Sequence, residues 1–201
     1  MFRELLRSEY QPWGELSPLQ LDTLERHYQI LKSWNSRLNL TRIQDLMEVV
    51  RFHYCESLFV STVLPSKSLK ICDLGSGAGF PGIPLAVVRP DVEVVLIESD
   101  QRKAVFLREA TRDLKNVRVL AARYQECKME FDWVVSRAVA LGDLSAARLA
   151  PNLALLVSAA GAPPGTEVVK LPWGRDRVLI VSRGARVPRE TKVSRGTSAL
   201  P

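Results

Sequence analysis

The stretch that most constrains this chain is SLKICDLGSGAGFPGIPLAVV, Ser68 to Val88. An apolar run suited to a buried strand stops at Asp73, and Gly75, Gly77 and Gly79 follow at alternate positions. Pro81 and Pro84 then punctuate a second apolar run that reads as a helix, Pro81–Val88. Glycine adopts positive φ without a Cβ penalty and lets a ligand touch the main chain. Short β-rich runs alternate with amphipathic ones beyond this point. They predict strands at Leu69–Leu74, Val92–Ile97, Val117–Ala121, Phe131–Ser136, Ala154–Ser158, Glu167–Leu171 and Arg177–Val181. Helices are predicted at Gln101–Leu114, with Ala104, Phe106, Leu107, Ala110 and Leu114 inward, and at Leu141–Leu149. Such alternation gives an α/β fold, a mostly parallel sheet covered on both faces. PWGRD between the last two runs is too short for a crossover, so those strands pair antiparallel.

The first third is helical. SPLQ at Ser17–Gln20 reads as a capping box with Pro at the first turn. Leu21, Leu24, Tyr28, Leu31, Trp34 and Leu38 then recur every three or four residues as one buried face. A second helical pattern covers about Asp45 to Val63, with Leu46, Val49, Val50, Leu58 and Phe59 inward. The expected organisation is a helical appendage over 1–65, a main domain over 66–183 and a tail over 184–201. MFRELLRSEY carries charge throughout, unlike a secretory leader, and no apolar run approaches the roughly 18 residues of a membrane span. A cytoplasmic protein, off the membrane, is expected.

Cys55, Cys72 and Cys127 are far apart, no CxxC occurs, and the histidines are His27 and His53. Buried reduced thiols are expected rather than a disulfide scaffold or a metal site. The tryptophans Trp13, Trp34, Trp133 and Trp173 read mostly as core. The net charge of +6 is concentrated at the end, where residues 161–201 hold 8 Lys/Arg against 3 Asp/Glu. Those cations are Lys170, Arg175, Arg177, Arg183, Arg186, Arg189, Lys192 and Arg195. Such a cluster suits a polyanion such as RNA, or a solvated tail.

In an open α/β sheet, ligands sit outside the carboxyl ends of the strands, where residues 73–82 lie. GAGFPG formally satisfies GxGxxG, so a dinucleotide oxidoreductase is one reading. Asp73 and the two prolines favour another. A carboxylate repels a pyrophosphate and attracts an ammonium, and proline removes N–H donors that a phosphate would use. S-adenosylmethionine, zwitterionic at its methionine end, suits Asp73, Gly75 and Gly77. Glu98, closing the second strand, can accept the ribose hydroxyls of either ligand.

NLTRI (Asn39–Ile43), HYCESL (His53–Leu58), DLGSGAGFPGIPLAVVRP (Asp73–Pro90), RKAVFLRE (Arg102–Glu109) and FDWVVSRAVA (Phe131–Ala140) together resemble one family. It is the RsmG family, also called glucose-inhibited division protein B, of small-subunit ribosomal RNA guanine-N7 methyltransferases. The resemblance covers about Trp34 to Gly161. It implies a class I S-adenosylmethionine-dependent methyltransferase fold (Rossmann-like, with a seven-stranded sheet and an antiparallel C-terminal hairpin). The implied target is a guanine in the 530 loop of 16S rRNA, guanine 527. It implies cofactor contacts at Gly75, Phe80, Tyr124, Gln125 and Arg137, and places Glu98 as the ribose-binding acid. Tyr124-Gln125 stands where the family usually has Ala-Glu, Glu56 where Asp is usual, and SAAGAPPGTEVV is short of a full helix.

Guanine N7 carries an in-plane lone pair and no proton, so its methylation needs orientation rather than a general base. Arg137, leaving the fourth strand, is the candidate catalytic residue, against a structural salt bridge to Asp73 or Glu98. Arg123, with Arg186, Arg189, Lys192 and Arg195, is a candidate RNA contact. Phe80 either covers the cofactor or packs under the loop helix. His53 reads as a satisfied buried histidine and Asn39 as a cap or turn residue. The expected partner is 16S rRNA or the small ribosomal subunit, met as a monomer. An RNA-binding relative that has lost transfer is the non-enzymatic alternative.

Overall fold

The computed structural model describes residues 1–137, 149–162, 167–174 and 176–184. Seven strands form one sheet: β1 (Lys70–Leu74), β2 (Glu93–Ile97), β3 (Val117–Leu120), β4 (Trp133–Ser136), β5 (Asn152–Ser158), β6 (Glu167–Lys170) and β7 (Arg177–Ser182). Their order is β3-β2-β1-β4-β5-β7-β6. The pairs among β1 to β5 are parallel, and β7 runs antiparallel to both β5 and β6. The chain winds outward from β1 to β3 and returns to β4 on the other side of β1. That reversal opens a crevice at the carboxyl ends of β1 and β4.

Side chains alternate across the pleat, so β1 feeds two cores. Ile71 joins the larger one, with the N-terminal helices, while Cys72 and Leu74 join the other with Val95, Ile97, Phe131 and Val134. Asp73 is wholly buried. It is aligned with Leu96 of β2 and Val135 of β4.

Helix α2 (Pro18–Leu38) begins with the expected capping box. Ser17 Oγ accepts the Gln20 N–H at 3.2 Å and Gln20 Oε1 accepts the Ser17 N–H at 2.8 Å. It ends at Asn39, whose φ of 47° turns the chain left-handed, as a cap residue does. Ahead of it lies α1 (Phe2–Tyr10), which the sequence reading passed over as a charged opening. Phe2, Leu6 and Tyr10, four apart, are its buried stripe, and Phe2 stacks on Tyr28 at 4.8 Å.

The second helical pattern is present but not regular. It consists of α3 (Leu46–Glu48), a π-helical segment Val49–Cys55, α4 (Glu56–Phe59) and a 3-10 turn Val60–Val63. Asp45 caps its start by accepting the Glu48 N–H at 2.9 Å. The wider π turn redirects the side chains that follow, a feature common where helices serve sites. Helices α5 (Gly82–Val88) and α6 (Gln101–Ala110) cover the sheet. α6 stops four residues before the predicted end; Thr111 Oγ1 donates to the Leu107 carbonyl and the chain turns. The predicted helix from Leu141 lies outside the described residues up to 148, and Leu149 is in a turn. Trp13 departs from the core assignment at 43% exposed, and Cys127 is only half-buried.

Leu6→Ala is expected to lower the free energy of unfolding by about 3 kcal/mol through a cavity under α1. Leu19→Ala, on the exposed face of α2, should stay within about 0.5 kcal/mol. Urea denaturation followed by tryptophan fluorescence measures both.

Candidate active site

The glycine loop is built around Asp73. Its Oδ2 accepts the Gly82 N–H at 3.0 Å. A Cβ at Gly82 would stand 2.4 Å from Leu96 Cδ2 and 2.7 Å from Asp73 Oδ2, so only glycine lets the amide come that close. Asp73 Oδ1 has no hydrogen-bond partner. Burial raises the Asp73 pKa to about 7, against the Gly82 N–H, which favours the carboxylate. A buried oxygen without a donor costs free energy until a donor arrives. At Gly75 φ is +65° and a Cβ would meet nothing within 4 Å, so the backbone there faces open space.

Glu98, 7% exposed, follows β2. Its Oε2 accepts the Gly77 N–H and its Oε1 the Asp100 N–H, both at 2.9 Å. These bonds fix the carboxylate beside the loop while leaving each oxygen a second acceptor direction. Beyond β3, Tyr124 and Gln125 form a short turn. With Gly75, Ile97 and Arg123 they line a cavity of about 320 Å³. Arg123 is exposed at its rim. The other predicted RNA contacts, Arg186, Arg189, Lys192 and Arg195, lie outside the described residues, as does Arg175.

Arg137 leaves β4 on the far side of β1. Its Nη1 donates to the Phe52 carbonyl at 2.9 Å and meets His53 Nδ1 at 2.6 Å. Its guanidinium carbon lies 5.4 Å from the centre of the Phe80 ring. Neither Asp73 nor Glu98 pairs with it, so the salt-bridge alternative is replaced by a cradle from the π-helical segment. Burial, reinforced by the nearby Arg177 cation, lowers the Arg137 pKa to about 10. His53 is held to about 3, by burial first and then by Arg137. A neutral ring facing a guanidinium donor must accept at Nδ1, so Nε2 carries the proton and donates to Thr41 Oγ1 at 2.7 Å. Thr41 Oγ1 also accepts the Ile43 N–H at 3.1 Å. His53 is thus satisfied at both nitrogens, and its ring stacks on Phe80 at 4.9 Å.

Phe80 packs under the loop: 4% exposed, its ring lies against His27, His53 and Tyr54. The sequence reading missed two further supports. His27, on the buried face of α2, meets the Ala78 carbonyl through Nε2 at 3.0 Å and Tyr54 Oη through Nδ1 at 2.9 Å. Burial lowers its pKa to about 4. A histidine between Leu24 and Tyr28 on an apolar stripe was the available signal. Glu56, wholly buried, accepts from Arg177 Nε at 2.8 Å, and burial raises its pKa. Nothing local in the sequence links two residues so far apart. Among the described residues no cluster of three or more His, Cys, Asp and Glu is arranged to hold a metal.

The strand order, the positive-φ glycines after β1 and the acids closing β1 and β2 fit the class I methyltransferase fold. Solved structures share that fold. A SAM-dependent methyltransferase from Aquifex aeolicus matches at TM-score 0.56 and 18% identity, over 73% of this chain and 97% of its own. A predicted O-methyltransferase from Agrobacterium tumefaciens matches at 0.51 and 21%, over 65% and 81%. The family model GidB, rRNA small subunit methyltransferase G, matches residues 20–154. Curated relatives named ribosomal RNA small subunit methyltransferase G include one from Roseiflexus sp. (strain RS-1), 35% identical over 92% of this chain and 82% of its own. Those of Vibrio cholerae serotype O1 and Dichelobacter nodosus are 37% and 43% identical, over 76% and 61% of each chain. The chain belongs to the GidB family and is an S-adenosylmethionine-dependent rRNA methyltransferase. The dinucleotide reading of GAGFPG is thereby set aside.

Two buried groups pull stability in opposite directions with pH. Between about pH 4 and 6.5, His27 binds a proton when unfolded but not when folded, so it makes stability rise with pH. Between about pH 4 and 7, Asp73 binds a proton when folded but not when unfolded, so it makes stability fall as pH rises. His27→Gln should therefore flatten the rise of unfolding free energy with pH by up to about 1.4 kcal/mol per unit. Asp73→Asn should steepen it by a similar amount. Urea titrations at intervals across pH 4.5–6.5 compare the slopes.

Proposed function

We propose that the protein methylates N7 of a guanine in the 530 loop of 16S rRNA. In this reading it acts in the cytoplasm as a monomer, with residues 1–65 as an appendage, 66–183 as the transfer domain and 184–201 as a basic tail. The observation that carries the assignment is that both histidines beside the described part of the crevice are buried and already bonded, leaving neither free to take a proton. His27 and His53 are held neutral and bonded at both nitrogens. Burial pushes the Cys55 and Cys72 thiols well above their ordinary range. Methylation at a pyrimidine carbon needs a nucleophile and a base; N7 of guanine needs neither.

The residues present fit S-adenosylmethionine. An ammonium donor would satisfy the unpartnered Asp73 Oδ1 and draw its pKa back down. Glu98 would take the ribose hydroxyls, Gly75 and Gly77 would offer bare backbone, and Tyr124 and Gln125 would border the adenine through the main chain. Phe80, its ring buried, would contribute its backbone. When bound, the cofactor supplies an electrophilic methyl on a cationic sulfur. Arg137, its Nη1 anchored on the Phe52 carbonyl and His53, would hold the guanine edge in line with it. His53 positions Arg137 rather than moving a proton.

Arg137→Ala should abolish transfer, read as methyl incorporation into an rRNA fragment; unchanged methylation would remove the role given to Arg137. His53→Leu should lower kcat at least about tenfold, and His53→Asn, whose Oδ1 replaces the Nδ1 acceptor, should recover most of it. In cells, deleting the gene should erase 7-methylguanosine from the 530 loop, read by mass spectrometry of 16S rRNA fragments. An unaltered level would refute the target.

A further inference from the structure

A cleft separate from the cofactor crevice runs between the carboxyl-terminal half of α2 and the loop that follows it. Its volume is about 770 Å³, and its walls include Lys32, Asn35, Asn39, Thr41, Arg42 and Gln44. Among the described residues that line it there is no Asp or Glu. Asp45, next along the chain, is turned to cap α3. Lys32, Asn39, Arg42 and Gln44 are exposed. The cleft is preformed: Asn35 Nδ2 donates to the Thr41 carbonyl at 3.0 Å and Asn35 Oδ1 accepts the Thr41 N–H at 2.8 Å, stapling loop to helix. A wall that needs no ordering on binding loses less entropy when it is used.

The cleft also communicates with the transfer site. Thr41, in its wall, bonds His53 Nε2 at 2.7 Å, and His53 Nδ1 meets Arg137 at 2.6 Å. One imidazole ring therefore separates the cleft from the guanidinium beside the crevice.

We propose that this cleft docks a single-stranded segment of the rRNA flanking the target guanine. Lys32 and Arg42 hold phosphates, and Asn39 and Gln44 meet base edges. The proposal rests on the rRNA-methyltransferase reading above and adds where the substrate lies. Two cations with amides and hydroxyls, and no carboxylate, match a polyanion that also carries hydrogen-bonding edges. A guanine drawn out of its stack needs its neighbours held on one side, and the Thr41–His53 link puts that hold next to Arg137.

The test is the double variant Lys32→Gln/Arg42→Gln, with Lys67→Gln as control. Lys67 is exposed and precedes β1, at the end of the sheet opposite the crevice. Filter binding of an rRNA fragment containing the 530 stem-loop is measured over a salt series. The double variant should bind the fragment at least tenfold more weakly at low salt. Its slope of log affinity against log salt should fall by about 1.4, or about 0.7 for each lost contact to a single strand. S-adenosylhomocysteine affinity, and RNA binding by the control, should stay within twofold of wild type. Unchanged RNA affinity would overturn the proposal, as would weaker binding at an unchanged salt slope. Tighter wild-type binding to polyglutamate than to the fragment would assign the cleft to an acidic protein and overturn it too. Wild-type protein that binds the fragment but adds no methyl would sink the activity reading, while the salt slopes would still decide the cleft.

Discussion

The contact between the Asp73 carboxylate and the Gly82 amide sets the geometry on which the rest of the site depends. A carboxylate with no exposed surface survives only if donors reach it. At 3.0 Å that amide can reach it because position 82 has no Cβ to strike Leu96. The bond fixes where α5 begins, and with it the path of the intervening loop. Gly75 and Gly77 then stand at positive φ with their backbone bare, and Glu98 clasps the loop from β2 through the Gly77 N–H. One oxygen of Asp73 is left without a donor. The loop thus holds one buried carboxylate oxygen that an incoming donor would satisfy.

The second half of the site is made by helices that the sheet does not need for its own closure. The π-helical segment delivers the Phe52 carbonyl and His53 Nδ1 to Arg137, and Tyr54 to His27. A buried guanidinium is costly unless its donors are met. Here a carbonyl, a neutral imidazole and an aromatic face meet it without cancelling its charge. Glu56 is bonded to Arg177, and among the described residues no carboxylate hydrogen-bonds to Arg137. The cation is therefore held in place by neutral partners.

His27 shows how the N-terminal helices and the glycine loop work as one body. Its ring spans from Tyr54 to the Ala78 carbonyl, in a core that runs without a break from Phe2 through Phe80 to Leu156. A change on α2 is thereby felt in the glycine loop. The same helix, at its other end, carries the wall of the cationic cleft.

The sequence by itself determined what is local or periodic. Ser17, Pro18 and Gln20 announced the start of α2 within one turn, alternating apolar runs located all seven strands to within two residues, and DLGSGAGFPG marked the crevice. Local signals suffice there because caps, pleats and positive-φ turns are satisfied by neighbours in the chain. The tertiary structure alone decided which groups stand beside Arg137, that Phe80 is buried, that Glu56 pairs with Arg177, and that Thr41 and Arg42 border a cleft. Those facts rest on contacts between residues up to 121 positions apart. Their energies come from desolvation and hydrogen bonding after the sheet has closed, and no spacing along the chain encodes them.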